Sequence, residues 1–133
     1  MRIMIDTNVL ISAFILNSNY LVQMIDNITE YHTIVLPTYV IDELKRVTKN
    51  KFSDKYYFLE TFLNELPFEL TYTPENINKT KYPYIRDVKD LPVLVSAIDE
   101  DVDVLITSDL DFASLSLERP EILTPKDYVK KYC

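Results

Sequence analysis

Six acidic side chains stand beside apolar segments, in four stretches that lie far apart along the sequence. They are Asp6, Glu43, Asp87, Asp90, Asp109 and Asp111. An ionised carboxylate at the edge of an apolar core is costly unless a positive charge neutralises it. No basic residue stands beside Asp6 or Asp109, so a divalent cation is the natural partner. Carboxylate oxygens suit Mg²⁺ or Mn²⁺, and the pattern predicts a site for one or two such ions.

Length and composition restrict the class of protein. The 133 residues fit a single domain, 1–133, and no apolar run approaches the roughly 18 residues that a membrane helix needs. An acid already stands at position 6, too early for a signal peptide, so we expect a cytoplasmic protein without a membrane anchor. Cys133 is the single cysteine, which excludes an internal disulfide or a cysteine-based zinc site.

Glycine is absent from the sequence. A Gly-rich phosphate-binding loop of the nucleotide-binding type is therefore excluded. Every tight turn must be built from Asn, Asp, Ser and Pro.

The net charge of −7 at first argues against nucleic acid as a partner, because phosphate binding favours a basic surface. Two segments nevertheless concentrate positive charge. One runs from Lys45 to Lys55 and the other from Lys79 to Lys89. Each is either a solvated surface or a flank of the acidic site that could hold a phosphate backbone.

Short apolar runs alternate with segments of helical periodicity. Strands are predicted at Arg2–Ile5, Ile34–Leu36, Phe68–Tyr72, Val102–Thr107 and Ile122–Leu123. Helices are predicted over Val9–Leu16 and Tyr20–Ile28, and after N-caps at Thr38, Ser53, Asp90 and Thr124, the first three ending near Thr48, Leu66 and Glu100. Strands that alternate with helices predict a parallel sheet covered on both faces. Residues 73–89 are polar and read as a long surface loop.

The predicted sheet brings two distant acids to one edge. Asp6 ends the first strand, and Asp109 follows the fourth strand by two residues. Open parallel sheets bind ligands at the carboxyl ends of their strands, so both acids are expected at that edge.

Helical phase separates two neighbouring acids. Glu43 shares the core-facing side of its helix with Val40 and Leu44. Asp42 points away, and we expect it to pair with Arg46 at the i+4 position.

Three of the acids also have simple structural explanations. Asp90 suits a helix N-terminus, where the helix dipole favours negative charge. Asp87 could be an ordinary loop residue, and Asp111 could begin a short helix around Phe112. The sequence leaves these alternatives open.

The four stretches together resemble the PIN-domain nuclease family. The motifs are Asp6-Thr-Asn8-Val-Leu, Glu43 in the helix after the second strand, Asp90 before Leu-Pro-Val-Leu, and Ile106-Thr-Ser-Asp109-Leu-Asp-Phe112. Their order and spacing carry the resemblance, which extends over almost the whole chain. It implies a three-layer α/β/α fold with a five-stranded parallel sheet in the order 3-2-1-4-5.

The resemblance also implies roles for individual residues. Asp6, Glu43, Asp90 and Asp109 match the family's catalytic, metal-holding acids, and Asp111 matches a further acid found in many members. Asn8, Thr107 and Ser108 match polar residues that orient those carboxylates, although Ser108 stands where many members carry glycine.

The activity implied is hydrolysis of RNA with Mg²⁺ or Mn²⁺. Single-stranded RNA is the expected substrate, because unstacked bases could rest on the aromatic cluster Tyr56-Tyr57-Phe58. That cluster could equally pack in the core. Single-domain members of this size are mostly toxins of type II toxin–antitoxin pairs, so the resemblance further implies an antitoxin partner and a homodimer.

Two alternatives remain at the level of the sequence. An aspartyl-phosphate phosphatase also places an Asp at the end of a strand, but it requires a second acid two positions later, where this chain has Asn8. A non-catalytic binding module with the same fold would have no need for a complete set of buried acids.

Overall fold

The computed structural model describes all 133 residues and contains one five-stranded parallel sheet. The strands are β1 (Arg2–Ile5), β2 (Thr33–Pro37), β3 (Glu69–Thr71), β4 (Val104–Ile106) and β5 (Glu121–Leu123). Their order in the sheet is β3-β2-β1-β4-β5, and every neighbouring pair is parallel. The predicted sheet and its strand order are therefore confirmed.

Seven α-helices surround the sheet. They are α1 (Thr7–Phe14), α2 (Asn19–Tyr31), α3 (Thr38–Lys51), α4 (Tyr56–Glu65), α5 (Leu91–Asp99), α6 (Leu110–Ala113) and α7 (Pro125–Tyr132). No single helix is long and apolar enough to cross a membrane. Helices α1 and α2 taken together have the length and composition of a membrane-spanning segment, but a bend of 114° separates them.

The central strand β1 anchors the core. Its residues Ile3, Met4 and Ile5 are fully buried, and β2 and β4 pair with it on either side. Burial on both faces explains why these strands read as continuous apolar runs rather than as alternating patterns.

Two of the four predicted N-cap residues, Thr38 and Ser53, do not occupy the N-cap position of their helices. The N-cap position of α3 is Pro37, and the hydroxyl oxygen of Thr38 instead accepts a hydrogen bond from the backbone N–H of Thr73 at 3.1 Å. Ser53 opens a 3₁₀ turn that ends at Lys55, and α4 begins only after it. At the start of α3 the segment around Thr73 provides hydrogen bonds in place of a side-chain cap. At Ser53 the 3₁₀ turn does so. Thr124 caps α7 as predicted, accepting from the N–H of Asp127 at 3.1 Å.

In the absence of glycine, Asn and Asp occupy the backbone positions with positive φ. Asn17 follows α1 with φ of 59°, and Asp101 follows α5 with φ of 50°. These residue types tolerate the left-handed region best among non-glycine residues.

The segment 73–89 has no strand or α-helix, in agreement with the prediction, but it is anchored. The Tyr82 hydroxyl donates to Asp99 at 2.8 Å, and the Tyr39 hydroxyl donates to the carbonyl of Lys89 at 3.1 Å. Ile85 is buried in the core cluster. This loop therefore presents a defined surface directly before Asp90.

Candidate metal centre

Asp6 is fixed by two neutral hydrogen-bond donors. It directly follows β1 and is 6% exposed. Its Oδ1 accepts from the backbone N–H of Thr7 at 2.8 Å, and its Oδ2 accepts from the hydroxyl of Thr107 at 2.8 Å. Its own N–H donates to the carbonyl of Ile106 at 2.9 Å, which ties it to the end of β4. No ion pair neutralises this carboxylate.

Thr107 connects two of the predicted acids. Besides donating to Asp6, its hydroxyl oxygen accepts from the N–H of Asp109 at 3.1 Å. Asp109 in turn caps α6, since its Oδ1 accepts from the N–H of Asp111 at 2.9 Å. One buried hydroxyl therefore sets the relative positions of Asp6 and the turn that carries Asp109.

Helix α3 carries Glu43 on the side that faces the core. Val40 and Leu44 are buried and Asp42 is exposed, while the Glu43 side chain is 22% exposed. The predicted phase is confirmed. The predicted Asp42–Arg46 pair is wrong, because Arg46 lies 3.6 Å from Glu43 Oε2 at the i+3 spacing. Arg46 is largely exposed, so this long contact neutralises Glu43 only weakly.

Asp90 occupies the N-cap position of α5, but its side chain makes no capping hydrogen bond. Its Oδ2 is buried and has no donor partner. Helix capping therefore does not account for Asp90. A proton on Asp90 allows a hydrogen bond to the Asp109 carboxylate. Burial is the main cause that raises the pKa of Asp90 to about 7, followed by that hydrogen bond and by the charges of Asp109, Asp87 and Asp6.

The surroundings of Asp6 also disfavour its ionised form. Burial raises the pKa of Asp6, and the negative charges of Glu43 and Asp109 add to this effect. The hydrogen bonds from Thr107 and Thr7 oppose it. The charges of Glu43 and Asp109 thus act on Asp6, and those of Asp109 and Asp6 act on Asp90, at the carboxyl edge of the sheet.

Two further acids lie beside this group. Carboxylate oxygens of Asp87, Asp90 and Asp111 all lie within 4.8 Å of one another. Asp111 is paired with Arg86, whose Nε and Nη2 donate to its two oxygens at 2.8 and 3.2 Å. The expectation that Asp6 and Asp109 have no basic partner therefore holds, and Asp90 forms no ion pair either, whereas Asp111 and, more weakly, Glu43 are paired. No spacing rule could have paired residues 86 and 111.

Of the three polar residues expected to orient the carboxylates, Thr107 does so. Asn8 and Ser108 are exposed and form no hydrogen bond with any of the acids. Thr107 is the buried member of the Thr-Ser pair because it follows β4 directly, at the edge where Asp6 lies.

The residues fit a divalent cation. Asp90 offers a buried oxygen that lacks a donor, and Asp6 has only neutral donors despite its burial. All the ligand atoms are carboxylate oxygens, which suit a hard cation such as Mg²⁺ or Mn²⁺. Asp6, Glu43, Asp90 and Asp109 are the predicted ligands, whereas the carboxylate oxygens that the fold brings within 4.8 Å of one another are those of Asp87, Asp90 and Asp111. Asp111 would first have to release Arg86.

The half-buried position of Glu43 leads to a direct test. Glu43→Gln should lower any metal-dependent activity of this site by at least about tenfold, because it removes a charge that faces Asp6. Asp42→Asn, one residue away but exposed, should change it less than about twofold. Steady-state rates of the two purified variants provide the measurement. An inactive Asp42→Asn beside a fully active Glu43→Gln would refute the assignment.

The protein is therefore an α/β domain with a parallel sheet in this order. Its acidic residues lie at the carboxyl ends of β1 and β4 and at the start of α5. The model of the PIN domain family matches residues 2–111, and the chain belongs to this family, whose members are typically nucleases. No curated protein sequence matches the chain.

Among solved structures, the chain is similar to one chain of the crystal structure of VapBC2 from Rickettsia felis bound to a DNA fragment from the VapBC2 promoter. The TM-score is 0.68 at 20% sequence identity, and the match covers 92% of this chain and 97% of that one. At this identity the similarity concerns the fold.

Proposed function

We propose that this protein is a cytoplasmic endoribonuclease that depends on Mg²⁺ or Mn²⁺ and hydrolyses phosphodiester bonds in RNA. One observation carries the proposal. Asp6 is almost completely buried with only neutral donors, and it faces Glu43, Asp90 and Asp109. Such a group is stable only with protons or a cation between its members. Membership of a family of nucleases supports the same function.

The chemistry follows from the surroundings of each acid. A bound divalent cation supplies positive charge to a phosphate oxygen and lowers the pKa of water toward about 7. Thr107 keeps Asp6 in one orientation. Asp90 and Asp109 lie beside it and complete the negative surface that selects the cation. The Glu43 side chain is partly exposed and is placed to bind or orient the attacking water.

Unpaired lysines support an anionic polymer as substrate. None of the lysines in the segments 45–55 and 79–89 forms an ion pair. Tyr57 and Phe58 are 81% and 51% exposed, so core packing does not account for them, whereas Tyr56 is half-buried. Exposed aromatic rings beside free lysines suit single-stranded RNA, whose bases can unstack.

The proposal includes partners. The similar structure from Rickettsia felis is a toxin–antitoxin complex, and we extend this to a toxin role, an antitoxin and a homodimer for the present chain. The net charge of −7 suits a basic partner segment. Light scattering at micromolar concentration should give the mass of a dimer. A monomer under those conditions would contradict that part of the proposal.

Cleavage of a labelled single-stranded RNA by rigorously purified protein tests the function. We expect products with Mn²⁺ or Mg²⁺, no products with EDTA, and full recovery when metal is added in excess. Equal cleavage with and without chelator would mean that a contaminant or a different site cuts the RNA.

The alternative of a phosphatase is tested in the same experiment with a small aryl phosphate. Both oxygens of Asp6 accept hydrogen bonds, and the position two residues later is the exposed amide Asn8. Neither feature suits a carboxylate that attacks phosphorus, and we expect no release of the aryl alcohol.

A further inference from the structure

Residues 79–91, which comprise the end of the loop and the first residue of α5, form a small pocket beside the acidic site. It has a volume of about 240 Å³ and is lined by Tyr82 and Tyr84, by the apolar Ile85 and Leu91, and by the charged Lys79 and Arg86. Pockets for drug-sized ligands start at about 300 Å³, so this one suits a smaller group.

Its walls differ in how firmly they are held. The Tyr82 hydroxyl donates to Asp99, and Ile85 is buried in the core cluster. Tyr84 is 84% exposed and forms no hydrogen bond. The pocket therefore has a fixed inner side and one unpartnered aromatic ring facing solvent. Leaving such a ring in water has no benefit for the stability of the fold.

The pocket is joined to the acidic site through its own residues. Arg86 lines it and at the same time binds both oxygens of Asp111. Leu91, another wall residue, directly follows Asp90 in the sequence. The pocket and the acidic site therefore share the Arg86–Asp111 contact and the chain around Asp90.

The charges around the pocket favour an anionic ligand. Lys79 lines it, and Lys79, Lys81 and Lys89 on the same loop form no ion pair, although the chain as a whole is acidic. Free ammonium groups beside an aromatic pocket suit a chain of phosphates that carries flat bases.

We propose that this pocket binds one unpaired nucleobase of a single-stranded RNA, stacked on Tyr84, and so positions the neighbouring phosphate at the acidic site. The inference rests on the proposed ribonuclease function and specifies its substrate contact. A base paired within a duplex could not enter, so the pocket selects for single strands.

The test uses fluorescein-labelled RNA hexamers of two kinds, one with bases and one abasic at every position. Binding to the whole protein is measured by fluorescence anisotropy with Ca²⁺ in place of Mn²⁺, and the RNA is checked for integrity afterwards. The variants are Tyr84→Ala, Tyr84→Phe and Tyr31→Ala. Tyr31 is an exposed control, 65% accessible, which lies before β2 and therefore at the opposite edge of the sheet.

We expect Tyr84→Ala to weaken binding of the normal hexamer by roughly 5- to 100-fold, the range for loss of one base–aromatic stack. Tyr84→Phe should bind within about twofold of the wild type because it keeps the ring, and Tyr31→Ala should match the wild type. The abasic hexamer should bind wild type and Tyr84→Ala equally, because it retains only the phosphates.

Cleavage by the wild-type protein in Mn²⁺ separates this inference from the proposed function. If the wild type cleaves RNA but Tyr84→Ala binds like Tyr31→Ala, the pocket inference is wrong and the ribonuclease stands. If binding depends on Tyr84 but nothing is cleaved, the pocket stands and the ribonuclease does not. A wild type that binds neither hexamer would overturn the pocket.

Discussion

Asp6→Asn is expected to reduce metal-dependent RNA cleavage by more than about a hundredfold, because it removes the most deeply buried charge of the site. Changes to groups that only support a metal ligand typically cost 10- to 100-fold, and loss of a ligand should exceed that. Asp109→Asn should have a comparable effect. Initial rates at saturating Mn²⁺ provide the measurement.

Two further variants make this expectation specific. Thr107→Val keeps the shape of the side chain but removes the hydroxyl that donates to Asp6, and a loss of about 10- to 100-fold is expected. Asp26→Asn, on the exposed side of α2, should be fully active. If Asp6→Asn retained more than a tenth of the wild-type rate, the assignment of Asp6 as the centre of the site would fail.

Saturating Mn²⁺ should raise the melting temperature of the wild type by about 10 °C. A ligand present at a hundredfold excess over its Kd stabilises the folded state by about 2.7 kcal/mol, and a domain of this size gains roughly 4 °C for each kcal/mol. In EDTA, Asp6→Asn should melt no lower than the wild type, because it loses a repelling charge and keeps one acceptor oxygen. It should also gain less from Mn²⁺. Thermal unfolding of both proteins with EDTA and with Mn²⁺ measures these differences.

The pH dependence in EDTA is a control for the same experiment. The folded-state pKa of Asp90 is raised from 3.8 to about 7, so between these values the folded protein binds more protons than the unfolded chain. The stabilisation that the protonated Asp90 carboxyl gives the folded protein is therefore lost as the pH rises from 3.8 to about 7. Asp90→Asn should remove this part of the dependence.

An unchanged wild-type melting point on addition of Mn²⁺, or an equal gain by Asp6→Asn, would mean that these carboxylates do not form one metal site.

The sheet could be predicted because its signal is local in the sequence. Arg2–Ile5 was predicted with the observed bounds, since a buried parallel strand reads as an unbroken apolar run. The strand order came from the family resemblance rather than from periodicity. Helix starts were less accurate at Thr38 and Ser53, where hydrogen bonds to Thr73 and a 3₁₀ turn decide the geometry. Contacts between distant segments leave no mark on the local pattern.

The acidic cluster could be anticipated for a different reason. Strand ends and helical phase determine the positions of Asp6, Asp109 and Glu43 before any contact is known. The partners of the charged groups could not be anticipated in this way. Arg86 binds Asp111, and Arg46 turns toward Glu43, because long flexible side chains reach whichever carboxylate the folded chain brings near. The roles of these residues in catalysis remain predictions that the variants above can test.

The strand order has a consequence for synthesis on the ribosome. The first strand to emerge is the middle strand of the sheet, and its pairing with β4 waits for residues 104–106. The hydrogen bond between Asp6 and Thr107 spans 101 positions, and at about 5–20 residues per second these take on the order of 5–20 s to translate. Glu43 and Asp90 are made within that interval, whereas Thr107 comes only at its end and Asp109 after it. Because Asp6 pairs with Thr107 and Asp109 follows two residues later, the acidic site can be completed only after about four-fifths of the chain has been made.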